Sequence, residues 1–206
     1  MVNEAGLRER NKQQKLERIK QAAWQLFREK GYDATTTREI AEVAQVGTGT
    51  LFLYARDKQE LLLLVYYETI ESLIEEAFAT LPEKADLLTR LMHIFSFFMN
   101  FYARDIDTAR EYVRNLSFQK NLAGQRLRAV EQIQRFSARL AELIEQAKVS
   151  GEVAPDTDSG QAAINFFGLY YSNLTGWLSG MVELDTALNQ GLRKAFELQI
   201  KGLQSK

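Results

Sequence analysis

Apolar residues recur along this chain with the three-to-four-residue spacing of amphipathic helices and almost nowhere with the alternation of a strand. Leu16, Ile19, Ala22, Ala23, Leu26 and Phe27 form the first stripe, and Gly31 stops it. Thr36-Thr37-Arg38-Glu39 has the form of a capping box, at the head of a short helix carrying Ile40, Ala41 and Ala44. A tight turn at 45–47 and a second short helix over 48–54 follow. Asp57-Lys58-Gln59-Glu60 is another capping-box candidate. It opens a long helix with Leu61, Leu62, Val65, Ile70, Leu73, Ile74 and Phe78, which Pro82 closes. Beyond Pro82 the pattern predicts a helix at about 86–104, one or two shorter ones to about Gln119, and a long one at 124–149 that Ser150-Gly151 stops. A helix capped by Asp158 then runs to about Gly180, and a last one carries Leu184, Leu188, Leu192, Phe196 and Ile200. The expectation is an all-α chain of about nine helices: three short N-terminal helices (residues 1–56) and a larger helical body (57–206).

The segment VGTGTLFLYARDKQEL, Val46–Leu61, admits three readings. Gly47-Thr48-Gly49 starts a phosphate-loop pattern, but Phe52 stands where a third glycine belongs, no strand precedes it, and no Gly-Lys-Ser/Thr follows. A plain buried helix accounts for Leu51 but not for Thr48, Thr50 and Tyr54 beside a basic first helix. A helix-turn-helix accounts for all of them. Its second helix enters the major groove, where threonine methyls and hydroxyls meet base edges and glycine permits close approach.

Residues 31–62, GYDATTTREIAEVAQVGTGTLFLYARDKQELL, resemble the DNA-binding domain of the tetracycline-repressor (TetR) family of bacterial regulators. Gly31, Tyr32, Thr35, Thr36, Ile40, Ala41, Ala44, Val46, Gly49, Thr50, Leu51, Tyr54, Lys58, Glu60 and Leu61 match its pattern. The resemblance implies that Thr37, Arg38, Thr48, Gly49, Thr50 and Leu53 face bases, with Thr36, Tyr54 and Lys58 mainly on phosphates. Four positions depart from the pattern. Gln45 replaces the usual turn glycine, so a left-handed backbone there is strained or the turn differs. Gly47 replaces a capping serine, Phe52 a tyrosine and Ala55 a phenylalanine.

Charge sharpens this picture. The whole chain has a net charge of −1, yet residues 1–56 hold 10 Lys/Arg against 7 Asp/Glu, and the remainder is net acidic. Arg8, Arg10, Lys12 and Lys15 are placed to add DNA contacts as an N-terminal arm. The absence of cysteine excludes disulfides, thiolate metal sites and cysteine nucleophiles. His93 is the only histidine and no G-x-S-x-G elbow exists, so neither a metal site, nor a cofactor, nor a serine triad is expected. No apolar run reaches the roughly 18 residues that span a bilayer, and the charged N-terminus lacks a signal-peptide core. A cytoplasmic protein with no membrane partner is expected.

The body offers two further surfaces. Gly168, Ser172, Gly176 and Gly180 recur every four residues, a row that lets a second helix approach closely. Packing within the chain explains it as well. The resemblance favours a homodimer, because the last two helices form a four-helix interface in that family, with Leu188, Leu192 and Phe196 supplying the partner stripe. Aromatic residues are dense, and Phe95, Phe98, Tyr102, Phe118, Phe136, Phe166 and Tyr170 are candidates for an apolar cavity. In the family such a cavity takes a small hydrophobic effector, whose binding releases a palindromic double-stranded DNA operator. The resulting expectation is a homodimeric, ligand-responsive transcriptional regulator, a repressor rather than an enzyme. The rival is a helical small-molecule carrier or enzyme whose N-terminal helices are only structural.

Overall fold

The structure, a computed structural model, describes residues 4–117 and 123–204. Among these it is all-α, as expected. The helices are α1 (Glu4–Lys30), α2 (Thr37–Val43), α3 (Thr48–Leu51), α4 (Lys58–Ala79), α5 (Leu87–Tyr102), α6 (Ile106–Ser117), α7 (Gln125–Val149), α8 (Ser159–Leu178) and α9 (Arg193–Leu203). A π-helical segment, Thr186–Leu192, leads directly into α9. No helix among the described residues is long and apolar enough to cross a membrane.

Two compact units form: Met1–Thr69 with Asp107–Ala129, and Ile70–Ile106 with Val130–Lys206. In the first, the stripe of α1 is buried as its spacing requires, with Ile19, Ala22, Ala23, Leu26 and Phe27 at most 7% exposed. Ile40, Ala41, Ala44 and Leu51 complete it from α2 and α3. Thr35 is buried and donates its hydroxyl to the Leu26 and Gly31 carbonyls, tying off the end of α1. The α1 ammonium of Lys20 lies 2.6 Å from both Glu17 and Glu68, the latter on α4. Burial alone lowers the pKa of such an amine, but the two carboxylates outweigh it and raise it.

One expectation is corrected here. α1 is not short, and residues 8–15 are not an arm: the helix extends back to Glu4. Residues 7–15 are exposed and carry no apolar stripe, yet Glu, Arg, Lys and Gln are strong helix formers and prolong a helix that Ile19–Phe27 anchors.

The second unit holds an aromatic net. Phe95 stacks on Tyr170 at 4.6 Å and meets Phe136 edge-on at 5.8 Å. Phe98 also packs on Phe136, at 5.3 Å, and Phe196 bridges Phe95 and Phe166. Asp158 caps α8 through the Gln161 amide at 2.9 Å, as its sequence predicted.

Candidate functional site

The α2–turn–α3 segment is built from local bonds. Thr36 caps α2: its hydroxyl accepts from the Glu39 amide at 3.2 Å, and the Glu39 carboxylate accepts from the Thr36 amide at 2.9 Å. Lys30 pairs with the same carboxylate. The Lys30 ammonium, helped by the Thr36 bonds, holds the Glu39 pKa down at about 2.

α2 ends in a Schellman motif. The Gln45 amide bonds to the Glu42 carbonyl and the Val46 amide to the Ala41 carbonyl. The motif requires a left-handed residue, and Gln45 takes it with φ +53. The left-handed turn thus forms without glycine, with a side chain held in a conformation that favours glycine. Gly47 then caps α3 with no side-chain bond, and the Thr50 and Leu51 amides return to its carbonyl.

This geometry sorts the apolar run. Leu51 is fully buried, Ala55 is buried, Phe52 is 43% exposed and Leu53 is 83% exposed. Thr48 and Gly49 are exposed beside Leu53, with Thr50 half-buried. α3 is shorter than the 48–54 expected, because Phe52 is its C-cap and turns carry the backbone on to Tyr54. Arg38 is exposed on α2 and ion-pairs with Glu42 at 3.0 Å. Thr37 beside it is half-buried.

Two polar side chains are partly committed within the protein. The Tyr54 hydroxyl donates to the Lys12 carbonyl of α1 at 3.0 Å. Lys58 donates to the Tyr32 and Asp33 carbonyls at 2.9 and 3.2 Å and sits over the Tyr32 ring. An ammonium has three N–H groups, so one remains for an outside partner.

A clamp next to the α2–turn–α3 segment had no local sequence signal. Arg126, at the start of α7, reaches Asp57 at 3.2 Å, Gln59 at 3.1 Å and Glu60 at 3.4 Å. Asp57 caps α4 by accepting from the Glu60 amide at 2.7 Å. The buried Glu60 carboxylate accepts from the Arg56 amide instead of completing a capping box with Asp57. The first turn of α4 is therefore fixed shortly after α3.

In the second unit, Phe95, Phe98, Phe136, Phe166 and Tyr170 come together, all at most 5% exposed. Tyr102 is buried further along α5, against Phe101. Phe118 lies outside the described residues. Of the small-residue row, Gly168 and Ser172 are exposed on α8, and a Cβ at Gly168 or Gly176 would meet open space. Gly180 lies beyond the helix, at φ +78. Leu192 and Phe196 are wholly buried inside their own chain, while Leu188 is half-buried. Sequence periodicity overlooked Ile164 and Leu198, which are 59% and 73% exposed.

Residues 19–65 match the family model for bacterial regulatory proteins, tetR family. The chain is 25% identical to the fatty acid metabolism regulator protein of Bacillus subtilis (strain 168) over 198 residues, 96% of this chain and 100% of that one. It is similar to the crystal structure of Thermus thermophilus FadR, a TetR family transcriptional repressor in complex with lauroyl-CoA. The TM-score is 0.74, with 25% identity, covering 93% of this chain and 96% of that one. The fatty acid degradation regulator FadR from Bacillus halodurans superposes with a TM-score of 0.68 and 25% identity, covering 91% and 99%.

Proposed function

We propose, from the match of residues 19–65 to the family model for bacterial regulatory proteins, tetR family, that the chain is a cytoplasmic, homodimeric repressor of that family that releases a palindromic operator on binding a fatty acyl-CoA. It is a regulator and not an enzyme, as its relatives are. The observation that carries the effector reading is the similarity to a fatty acid metabolism regulator along the whole chain, body included. A buried net of phenylalanines and tyrosines suits an alkyl chain, which gains about 0.8 kcal/mol per buried methylene.

Residues 1–56 read DNA, and 57–206 bind effector and partner. Thr37, Arg38, Thr48, Gly49, Thr50 and Leu53 face base edges, with Leu53 and the threonine methyls suited to thymine methyls. Thr36, Tyr54 and Lys58 hold phosphates; the free N–H of Lys58 supplies a charge that its carbonyl bonds already orient. One such element reads too few base pairs alone, and a two-fold dimer presents two of them roughly 34–36 Å apart. The dimer surface we assign is α8 with α9: Gly168, Ser172 and Gly176 allow close approach, Ile164 and Leu198 supply exposed apolar area, and Leu169, Ala195 and Gly202 line an apolar groove beside Leu198.

The test is fluorescence anisotropy on the DNA upstream of the protein's own gene, with and without lauroyl-CoA. Binding should fall linearly in log–log form as salt rises, and lauroyl-CoA should reverse it. A protein with no preference over random duplex at low salt is not an operator-binding repressor. One that binds the operator but ignores acyl-CoAs of every chain length has another effector.

A further inference from the structure

Two surface clefts of the second unit differ in charge. The first, floored by Phe78 and Leu143, holds Arg90 and Arg139 but also Glu83 and Glu142. Arg139 is already paired with Glu75 at 2.6 Å, and Arg90 donates to Gln146 at 2.9 Å. The second lies between α5 and the π-helical segment. It is floored by Met92 and Leu188 and lined by Thr89, His93, Ser96, Asn189 and Arg193, with no carboxylate.

Arg193 makes no side-chain hydrogen bond or ion pair among the described residues, and its charge also acts on the Asp86 carboxylate, the cap of α5. His93 Nε2 lies 3.0 Å from the Thr80 hydroxyl, which itself donates to the Glu76 carbonyl at 2.7 Å. With the Thr80 proton committed to Glu76, Nε2 donates to the Thr80 oxygen and orients the ring in the cleft. The cleft thus combines one uncommitted guanidinium with hydroxyl, amide and imidazole groups over an apolar floor. That composition suits a ligand with amides and a phosphate on an alkyl chain.

Its position agrees. The helices that line the cleft also carry the aromatic contact Phe95–Phe196, with ring centroids 5.4 Å apart. Met92 precedes Phe95 and Arg193 precedes Phe196 by about one helical turn, on the order of 5 Å. The segment between Asp185 and Arg193 is π-helical, a form enriched at functional sites. Asn173 crowds the space a Cβ on Gly191 would need, so only glycine lets α8 pack against this segment unchanged.

From these observations we infer that the cleft between α5 and the π-helical segment holds the polar, phosphate-bearing arm of an amphiphilic effector, with Arg193 as the phosphate ligand and the alkyl chain entering at Phe95 and Phe196. The inference rests on the effector reading above and deepens it.

His93 is the only histidine, so its imidazole resonances report on the cleft without assignment ambiguity. The probes are lauroyl-CoA and dodecyl phosphate, titrated into the full chain while affinity is followed by calorimetry. Both should shift the His93 signals, and Arg193→Gln should weaken both by tenfold or more, about the loss of one charge-assisted hydrogen bond. Arg139→Gln in the other cleft should leave both unchanged. If lauroyl-CoA binds wild type with the His93 signals unmoved, or if Arg193→Gln binds it equally well, the cleft assignment is wrong while the acyl-CoA reading stands. If dodecyl phosphate moves His93 and lauroyl-CoA does not bind, the cleft stands and the acyl-CoA reading falls. Binding of neither overturns both.

Discussion

The ring of Tyr112 on α6 stacks on the ring of Tyr66 on α4, with centroids 4.3 Å apart and 19° between the planes. Trp24 of α1 touches the same Tyr66 at 5.7 Å, so one aromatic column joins three helices of the first unit. Both tyrosines are at most 3% exposed, and burial pushes the Tyr112 phenol pKa well up. Truncating a buried aromatic costs about 3–5 kcal/mol. Tyr112→Ala should lose that much in urea unfolding, and the Tyr66/Tyr112 double-mutant cycle should return a coupling of about 0.5–1.5 kcal/mol. Additive single effects would mean that the two rings do not stabilise each other.

Leu51 and Leu53 are two residues apart and should behave oppositely. Leu51→Ala empties a fully buried position and should cost about 2–5 kcal/mol of stability. Leu53 is 83% exposed, so Leu53→Ala should stay within about 0.5 kcal/mol in stability while weakening operator binding. Melting temperature and anisotropy on the same two variants check this. A Leu53→Ala protein that unfolds early, or binds DNA normally, contradicts the proposal that Leu53 faces base edges.

That contrast is legible in the amino-acid sequence, because helical spacing around Ile40 and Leu51 assigns an inner face. The Thr36–Glu39 capping box and the Asp158 cap are legible for the same reason: both are encoded within four residues. Long-range features are not. Nothing near Glu60 signals that Arg126 will reach it, and nothing near Tyr112 signals its return to Tyr66, since such contacts depend on how distant helices meet. Phe196 misleads in the opposite way. Its stripe is real, but periodicity cannot say whether a face meets its own chain or another, and here it meets Phe95 and Phe166. The π-helical register of Thr186–Leu192 leaves no periodic trace in so short a segment.

Gln45 holds a left-handed backbone at φ +53. A side chain there costs about 1–2 kcal/mol, against roughly 0.5–1 kcal/mol of extra unfolded-chain freedom conferred by glycine. Gln45→Gly should therefore stabilise by about 0.5–1 kcal/mol. Gln45→Val, with its branched Cβ, should destabilise. Denaturant midpoints decide it, and a Gln45→Gly protein less stable than wild type would mean that the side chain contributes something the turn geometry does not reveal.

Glu39 carries the clearest pH signature. Its folded pKa, about 2, lies below the ordinary 4.5. A depressed carboxylate contributes stability above its unfolded pKa and loses it as pH falls through the folded one. The gap in melting temperature between wild type and Glu39→Gln should therefore be full at pH 6, shrink below about pH 5, and vanish near pH 2. A gap that stays constant down to pH 2 would show that the charge of Glu39 is irrelevant and only its shape matters.

Arg38 ion-pairs with Glu42 at 3.0 Å on an exposed helix face. Exposed pairs of this kind contribute well under 1 kcal/mol, so the guanidinium can leave Glu42 for DNA at little cost. Base and phosphate partners for it are separable. Against a guanine edge, Arg38→Ala should cost about 1–3 kcal/mol at one base-pair position. The variant should then tolerate changes there that wild type rejects, with the salt dependence of binding almost unchanged. Against a phosphate, the loss should be uniform across sequences and the log–log salt slope should drop by about one. Glu42→Gln supplies the converse. Removing a carboxylate from the face of α2 that carries Arg38 should strengthen binding to every duplex, and an Arg38 that reads a base keeps its positional discrimination on that background. Anisotropy over a panel of operators with single substitutions, at three salt concentrations, separates these outcomes. The base-edge assignment predicts a loss at one position and a slope that does not move.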